Sequence, residues 1–436
     1  MALVALLIVS CVQSKPHIES TTIEESVTTD SISYDHLGRI KNGQLLIERE
    51  VDLKGGVCQI PQGITICTRG GLLRNGKIIG NGTKIVGNAT VFDKITIGGS
   101  WNVPKLFTTL FADLNYENSL RDVVALASPD IHNEIIIEKG NYKVRANKNG
   151  DVCVKLCSNT DFVLNGTIEI APNDYKSYYI VRATGENINI SGKGIIVGDK
   201  FSHTGTTGEW GMGVDFRGAV NASVKDLTIK DCWGDCIYVG GRSRNVLIEN
   251  CKLDNGRRQG VSVTKADGVT IRNCMITNVS GTNPQYAIDI EPNRPDSVDN
   301  ILIENVTVRD CEGGFLVTHS IPKDGSLTPW IGRVTIRNCD VRCKKKYPIR
   351  VARCEKVEIE KCTLYTPDGL SAIVVTHSGE ALVQDNSMSV YYDMIDKVKN
   401  ELIELVGKGN RFPIDIRNTH RQTVRNNKFL PEHSYR

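Results

Sequence analysis

Down the second half of the chain, apolar and polar positions alternate in short runs that end on the same two residues. Two aliphatic positions separated by one residue lead into Asn-Cys. The run reads Asn245-Val246-Leu247-Ile248-Glu249-Asn250-Cys251 and then Gly268-Val269-Thr270-Ile271-Arg272-Asn273-Cys274. It returns as Asn300-Ile301-Leu302-Ile303-Glu304-Asn305, Arg333-Val334-Thr335-Ile336-Arg337-Asn338-Cys339 and Lys356-Val357-Glu358-Ile359-Glu360-Lys361-Cys362. The isoleucines at 248, 271, 303, 336 and 359 lie 23, 32, 33 and 23 residues apart. A unit near 23 residues with insertions of about ten marks a solenoid. The apolar runs are too short and too β-branched for helix pairs. The pattern therefore predicts an all-β chain, a single-stranded parallel β-helix.

Weaker β runs precede the clear repeats. Gly71–Gly80 and Thr83–Gly87 read as irregular first rungs, and Glu134–Glu138, Phe162–Leu164 and Ile188–Ile190 as later ones. Between them Ser119–Leu126 reads as a short helix capped by Asn118. Met394, Ile395, Val398, Leu402 and Leu405 recur at helical spacing, so Tyr391–Leu405 reads as a helix covering the open end of the solenoid. The expected organisation is irregular rungs over 34–110, the main β-helix over 111–390, and a terminal helix with a last rung over 391–436.

Each rung also carries a second strand: Gly213-Val214-Asp215-Phe216, Cys236-Ile237-Tyr238-Val239, Gly260-Val261-Ser262-Val263 and Ala287-Ile288-Asp289-Ile290. Alternation turns Val214, Phe216, Ile237, Val239, Val261, Val263, Ile288 and Ile290 inward. Asp215, Tyr238, Ser262 and Asp289 should then form one outward row. Asp235, Arg257, Arg258, Gln259 and Glu291 sit in the adjoining turns.

These strands carry a resemblance. Gly234-Asp235-Cys236-Ile237-Tyr238-Val239 is similar to the Asp-Asp-Cys-Ile-Ala-Ile segment of polygalacturonase-type glycoside hydrolases. Gln259-Gly260-Val261-Ser262-Val263 resembles their His-Gly-Leu-Ser-Ile segment, and Ile288-Asp289-Ile290-Glu291 falls where they carry Val-Arg-Ile-Lys. The similarity spans about residues 190 to 310, rung spacing included. It implies the right-handed β-helix of the pectate lyase and polygalacturonase-like superfamily, and a carbohydrate-active scaffold. Of that family's polar set only Asp235 carries over: Gly234 replaces the first aspartate, Gln259 the histidine, and Asp289 and Glu291 the basic pair.

The residues themselves offer another pair. Glycoside hydrolysis needs one carboxylic acid to protonate the leaving oxygen and one carboxylate to activate water or attack the sugar. Asp235 and Asp289 lie two rungs apart, about 9–10 Å along the stack. Side chains converging over the row would reach the roughly 6.5–9.5 Å of inverting enzymes. Glu291 beside Asp289 would raise one pKa by like charge. Asp235, Asp289 and Glu291 are therefore the expected catalytic set. Asp215, Tyr238, Arg257, Arg258 and Gln259 are expected to bind substrate. His203, Glu209 and Trp210, on the glycine-rich loop His203–Gly211, join them. Two arginines suit the carboxylates or sulfates of an acidic glycan.

Two further readings share the scaffold. A polysaccharide lyase would use Arg257, Arg258 or Lys265 as base, with Ca²⁺ held by Asp235, Asp289 and Glu291; the hydrolase reading needs no metal or other cofactor. A non-catalytic glycan-binding solenoid would use the same groove without turnover.

Charge and composition narrow the partners. With 53 basic and 50 acidic residues the net charge is +3, which gives no case for nucleic acid. The dinucleotide fingerprint, P-loop, zincin helix and nucleophile elbow are absent from the sequence. Residues 1–10 form an apolar segment of signal-peptide length, and Ile8-Val9-Ser10-Cys11 resembles a bacterial lipoprotein box. Cys11 is then the lipidation site, residues 11–33 a disordered tether, and the protein an exported lipoprotein of the periplasm or cell surface, meeting membrane only through its anchor. A monomer or a homotrimer both suit a β-helix. Of the 14 cysteines, Cys251, Cys274, Cys339 and Cys362 should stack in an internal ladder, whereas Cys58 with Cys67 and Cys153 with Cys157 are disulfide candidates.

Overall fold

The 23-residue unit becomes one turn of a coil with three strands. We describe a computed structural model covering residues 30–391 and 413–429, apart from 88, 115–118, 294, 322, 324–328 and 368. Strands Ile237–Gly240, Val261–Val263 and Tyr286–Ile290 stack in parallel along a first face. Ser243–Glu249, Ala266–Arg272 and Ser297–Glu304 stack along a second. Lys252–Asp254, Met275–Thr277 and Thr307–Cys311 belong to a third, an 11-stranded sheet running from Asn141–Val144 to Lys428–Phe429. The signal segment, Cys11, most of the tether and, beyond Tyr391, the expected terminal helix lie outside the described residues.

The inward residues of the first strands behave as alternation requires. Val214, Phe216, Ile237, Val239, Val261, Val263, Ile288 and Ile290 are fully buried. They belong to one apolar core that runs from Leu37 to Met388. Burying an aliphatic or aromatic side chain of this size contributes about 1.5–3 kcal/mol. Each inward row is repeated by the next rung, so that gain recurs along the axis.

The Asn-Cys pair makes the corner between second and third strands. Asn250, Asn273, Asn305 and Asn338 all adopt left-handed backbone (φ 54°, 56°, 51° and 55°), as does Lys361. Asparagine tolerates that region better than most residues. The exposed amides also bond from rung to rung: Asn250 Nδ2 donates to Asp226 Oδ1 at 3.3 Å and Asn305 Nδ2 to Asn273 Oδ1 at 3.1 Å. The cysteine that follows turns inward. Cys251, Cys274, Cys339 and Cys362 are all buried, and each thiol meets the carbonyl two residues back, at 3.2–3.4 Å. Val306 holds the equivalent place in the rung between Cys274 and Cys339.

The proposed disulfides do not form, since all thirteen described cysteines are free thiols. Cys58 and Cys67 sit on strands Val57–Gln59 and Thr65–Thr68, which pair with different stretches of Leu73–Val86. Cys153 points into the core, while Cys157 lies past the end of its strand with Sγ 3.6 Å from Thr160 Oγ1. The earliest rungs form their own eight-stranded sheet, with Arg39–Lys41 antiparallel to Gln44–Ile47. A short helix, Ser119–Val124, packs Leu120 and Val123 into the core.

Candidate active site

The outward row forms as expected. Asp215 registers with Tyr238, Tyr238 with Ser262, and Ser262 with Asp289, rung by rung on the first face. A second polar row lies beside it. Strict alternation would turn Asp235 inward with Ile237. Instead Cys236 and Ile237 are both core residues, and the bend between them leaves Asp235 on the outer side. Gln259 stands at the same place one rung later, two residues before Val261.

The two rows are tied diagonally. Ser262 Oγ donates to Asp235 Oδ2 at 2.7 Å, and Gln259 Nε2 donates to Asp289 Oδ2 at 2.7 Å. Each bond links the turn residue of one rung to the strand residue of the next. Gln259 is itself fixed, because its Oε1 accepts from the Tyr286 backbone N–H at 2.8 Å. Gln259 was expected to touch substrate; the structure makes it a buried support for Asp289 instead.

The two aspartates share a face but differ in environment. Asp235 is 0% exposed and Asp289 2%. Arg258 Nη1 lies 3.3 Å from Asp235 Oδ2, and Arg258 Nε lies 3.4 Å from Glu209 Oε2. Burial drives the Asp235 carboxyl up to about 6, while the Arg258 charge and the Ser262 hydroxyl pull it down. Asp289 receives one amide donor, and its Oδ1 has no hydrogen-bond partner. Burial first, and the like charge of Glu291 second, hold the Asp289 carboxyl well above the ordinary carboxylate range. Both carboxyls are thus raised, Asp235 to about 6 against the pull of Arg258 and Ser262, and Asp289 further with Glu291 adding to its burial.

The remaining expected residues divide. Trp210 is 50% exposed beside Glu209, at the rim. Tyr238 is half-buried and shares a 2.7 Å hydrogen bond with Thr264 Oγ1. Asp215 is fully buried, and its carboxylate is engaged by both Arg182 and Arg217. Arg257 is a clamp rather than a ligand for an acidic sugar. Its Nη1 bonds Gly208 O at 3.0 Å and Trp233 O at 3.2 Å, and its guanidinium stacks on Trp233. His203 is sealed: its side chain is 0% exposed, Nδ1 meets Asp199 Oδ2 at 2.8 Å, and the ring stacks on Trp233 at 3.9 Å. These contacts hold the loop that carries Glu209 and Trp210.

Three participants escaped sequence reasoning. Arg182 and Arg217 enclose Asp215, and Arg182 also stacks on Tyr179. Arg182 stands in the outward row one rung before Asp215, so extending the row by one register would have found it. Trp233 lies two residues before Asp235 and anchors the loop; its burial carried no periodic signal. The structure also explains Gly234. A Cβ there would overlap the carbonyl oxygen of Glu209, so a second aspartate beside Asp235 has no room.

Comparison with known proteins accords with this architecture. Residues 176–322 match the family described as a right handed beta helix region. The chain is 31% identical over 204 residues to the Bacillus subtilis protein YclG, covering 39% of this chain and 34% of that protein. It is 30% identical over 164 residues to the prophage-derived B. subtilis protein YorA, covering 32% of this chain and 28% of that one. The chain thus spans about a third of the length of these curated relatives. Among solved structures, the A-module of the Azotobacter vinelandii mannuronan C-5 epimerase AlgE6 aligns with TM-score 0.51 at 12% identity, over 74% of this chain and 97% of the module. Parallel three-strand rungs, the match over residues 176–322 and this structural likeness together show the fold of a right-handed parallel β-helix.

Proposed function

We propose that this protein hydrolyses glycosidic bonds of a complex polysaccharide, acidic glycans included, in the groove over the Asp215–Asp289 row. One observation carries the proposal: two buried carboxyl groups, Asp235 and Asp289, stand on one face two rungs apart, each held by a 2.7 Å hydrogen bond from a neighbouring rung. Asp289 serves as the general acid that protonates the leaving oxygen. Asp235, kept ionisable by Arg258 and Ser262, serves as the base for the attacking water. Burial and then the like charge of Glu291 raise the Asp289 pKa, which favours its acid form, and Trp210 offers an exposed ring at the rim. An epimerase acting on a polyuronate with the same fold is consistent with a glycan as substrate.

The calcium-assisted lyase reading fits less well. Arg258 faces Asp235 and its charge also reaches Asp289, which opposes a cation between them. Of the proposed bases, Lys265 is ion-paired with Asp296 and Arg257 is engaged by two carbonyls. Export and lipid anchoring through Cys11 are part of the proposal. Incorporation of radiolabelled palmitate, lost in Cys11→Ser, would support them.

The test is a panel of plant and host polysaccharides with reducing ends and 235-nm absorbance read together on the wild type, Asp235→Asn and Asp289→Asn. New reducing ends in the wild type alone, without ultraviolet absorbance, are expected. Full activity in either variant, or a product that absorbs, would overturn the assignment.

A further inference from the structure

The second face carries a cleft that the candidate active site does not use. It encloses about 470 Å³ and is lined by Trp330, Gly332, Arg333, Lys356, Glu380 and Arg421, among others. None of its lining residues belongs to the Asp215–Asp289 row or to the turns beside it. It begins in the rung of Asp289 and runs over the rungs that follow, at the starts of the second strands.

The cleft has an aromatic platform. Trp330 is 44% exposed, an unusual state for a large ring that strand neighbours could cover. Gly332, two residues on, lies on the same side of the strand. A Cβ there would overlap both the far edge of the indole (Cη2) and Asp299 Oδ1. The missing side chain lets the indole fold along the strand instead of projecting. Asp299 in turn is fixed by the backbone N–H groups of Asn300 and Arg333, both at 2.8 Å.

The cleft also has charge to spare. Arg333, Lys356, Glu380 and Arg421 register in consecutive rungs, so their side chains form one column. Lys356 satisfies Glu380 at 3.6 Å and Glu358 at 3.0 Å. Arg333 and Arg421 make no ion pair among the described residues, which leaves one guanidinium on the strand of the exposed indole and a second three rungs along the cleft, with the carboxylate of Glu355 also in the lining. A ring with an apolar face and an anionic substituent suits both features at once.

We infer that this cleft is a second glycan site, which binds anionic sugars of a polysaccharide chain by stacking one on Trp330 with its carboxylate or sulfate on Arg333 and pairing that of a sugar further along the cleft with Arg421. The inference shares with the proposed function the assumption that the partner is a polysaccharide, but it does not require turnover.

Native gel electrophoresis through polygalacturonate, dextran sulfate or uncharged dextran tests it, with the Asp235→Asn protein so that polymer is not consumed. Retardation by one or both anionic polymers and not by dextran is expected, and which of them retards more distinguishes carboxylate from sulfate recognition. Trp330→Ala should weaken that retention roughly tenfold, as loss of an aromatic anchor does. Arg333→Ala and Arg421→Ala should weaken it too, with urea midpoints unchanged. If Trp330→Ala does not fold, the other two variants decide. Undiminished retention in the folded variants, or no retention of the parent by any anionic polymer, would overturn the inference. Retention that depends on Trp330 in a protein without turnover on any polymer would uphold it and sink only the hydrolase reading.

Discussion

Asp235→Asn should make the protein more stable while removing its activity. Asp235 is fully buried, and its pKa rises from an ordinary 3.8 to about 6, chiefly through desolvation. A raised carboxyl pKa means that the folded state binds the proton more tightly than the unfolded state. The sign follows: the native state is favoured below pH 3.8, and that advantage is lost as pH climbs through about 6. At 1.36 kcal/mol per pH unit, the ionised side chain costs the fold about 3 kcal/mol at pH 7. Asparagine has nearly the same shape and its carbonyl can still accept from Ser262, but it never ionises. The variant should therefore be more stable by up to about 3 kcal/mol at pH 7, with the gap closing by pH 4. Urea denaturation at pH 4, 5, 6 and 7, followed by tryptophan fluorescence, measures the gap directly, since Trp233 lies two residues from the substitution. A variant no more stable than wild type at pH 7, or a gap independent of pH, would refute the claim that this buried carboxylate is held at the expense of the fold.

Other consequences are equally open to measurement. Arg258→Met removes the charge that lowers the Asp235 pKa, so the acidic limb of the pH–rate profile should move up by about 1–3 pH units; an unmoved limb would exclude Asp235 as the base. Lys361 occupies a left-handed corner (φ 54°) that asparagine fills in four other rungs, and Lys361→Asn should stabilise the solenoid by about 0.5–1 kcal/mol in urea melts. Of the thirteen described thiols only Cys157 is not buried, and mass spectrometry after brief Ellman treatment of the native protein should find it modified first. Burial pushes Cys153, its neighbour along the chain, up to about 12, so prompt labelling there would contradict the fold.

Much of this architecture was legible because solenoid geometry is local and repetitive. One strand period and rung offsets of 23, 24 and 27 residues were enough to place the inward residues of these strands, from the pair Val214 and Phe216 to the pair Ile288 and Ile290, in the core and Asp215, Tyr238, Ser262 and Asp289 in register. What stayed hidden depends on contacts that no period encodes. His203 and Arg257 looked like groove residues because they flank the row in sequence; both are drawn to Trp233, whose burial had no counterpart in other rungs. Asp215 looked available until Arg182, from the preceding rung, closed over it. The disulfide candidates failed on the same ground: closeness in sequence did not put Cys58 and Cys67 on one strand stack.

The departures from the repeat bear most directly on the chemistry. In the rung of Asp235, the bend at Cys236 frees a turn residue to face outward, and the next rung supplies Ser262 to hold it. The same construction one rung later uses Gln259 to hold Asp289. One diagonal bond thus occurs twice with its polarity exchanged. In the first the carboxylate sits in the turn and the donor on the strand; in the second the donor sits in the turn and the carboxylate on the strand. That exchange places two carboxyl groups two rungs apart instead of side by side. It also accounts for Gly234, where the backbone of the Glu209 loop fills the space a paired aspartate would need. Burial raises both carboxyls; Arg258, at hydrogen-bond distance, opposes that rise at Asp235, while the like charge of Glu291 adds to it at Asp289.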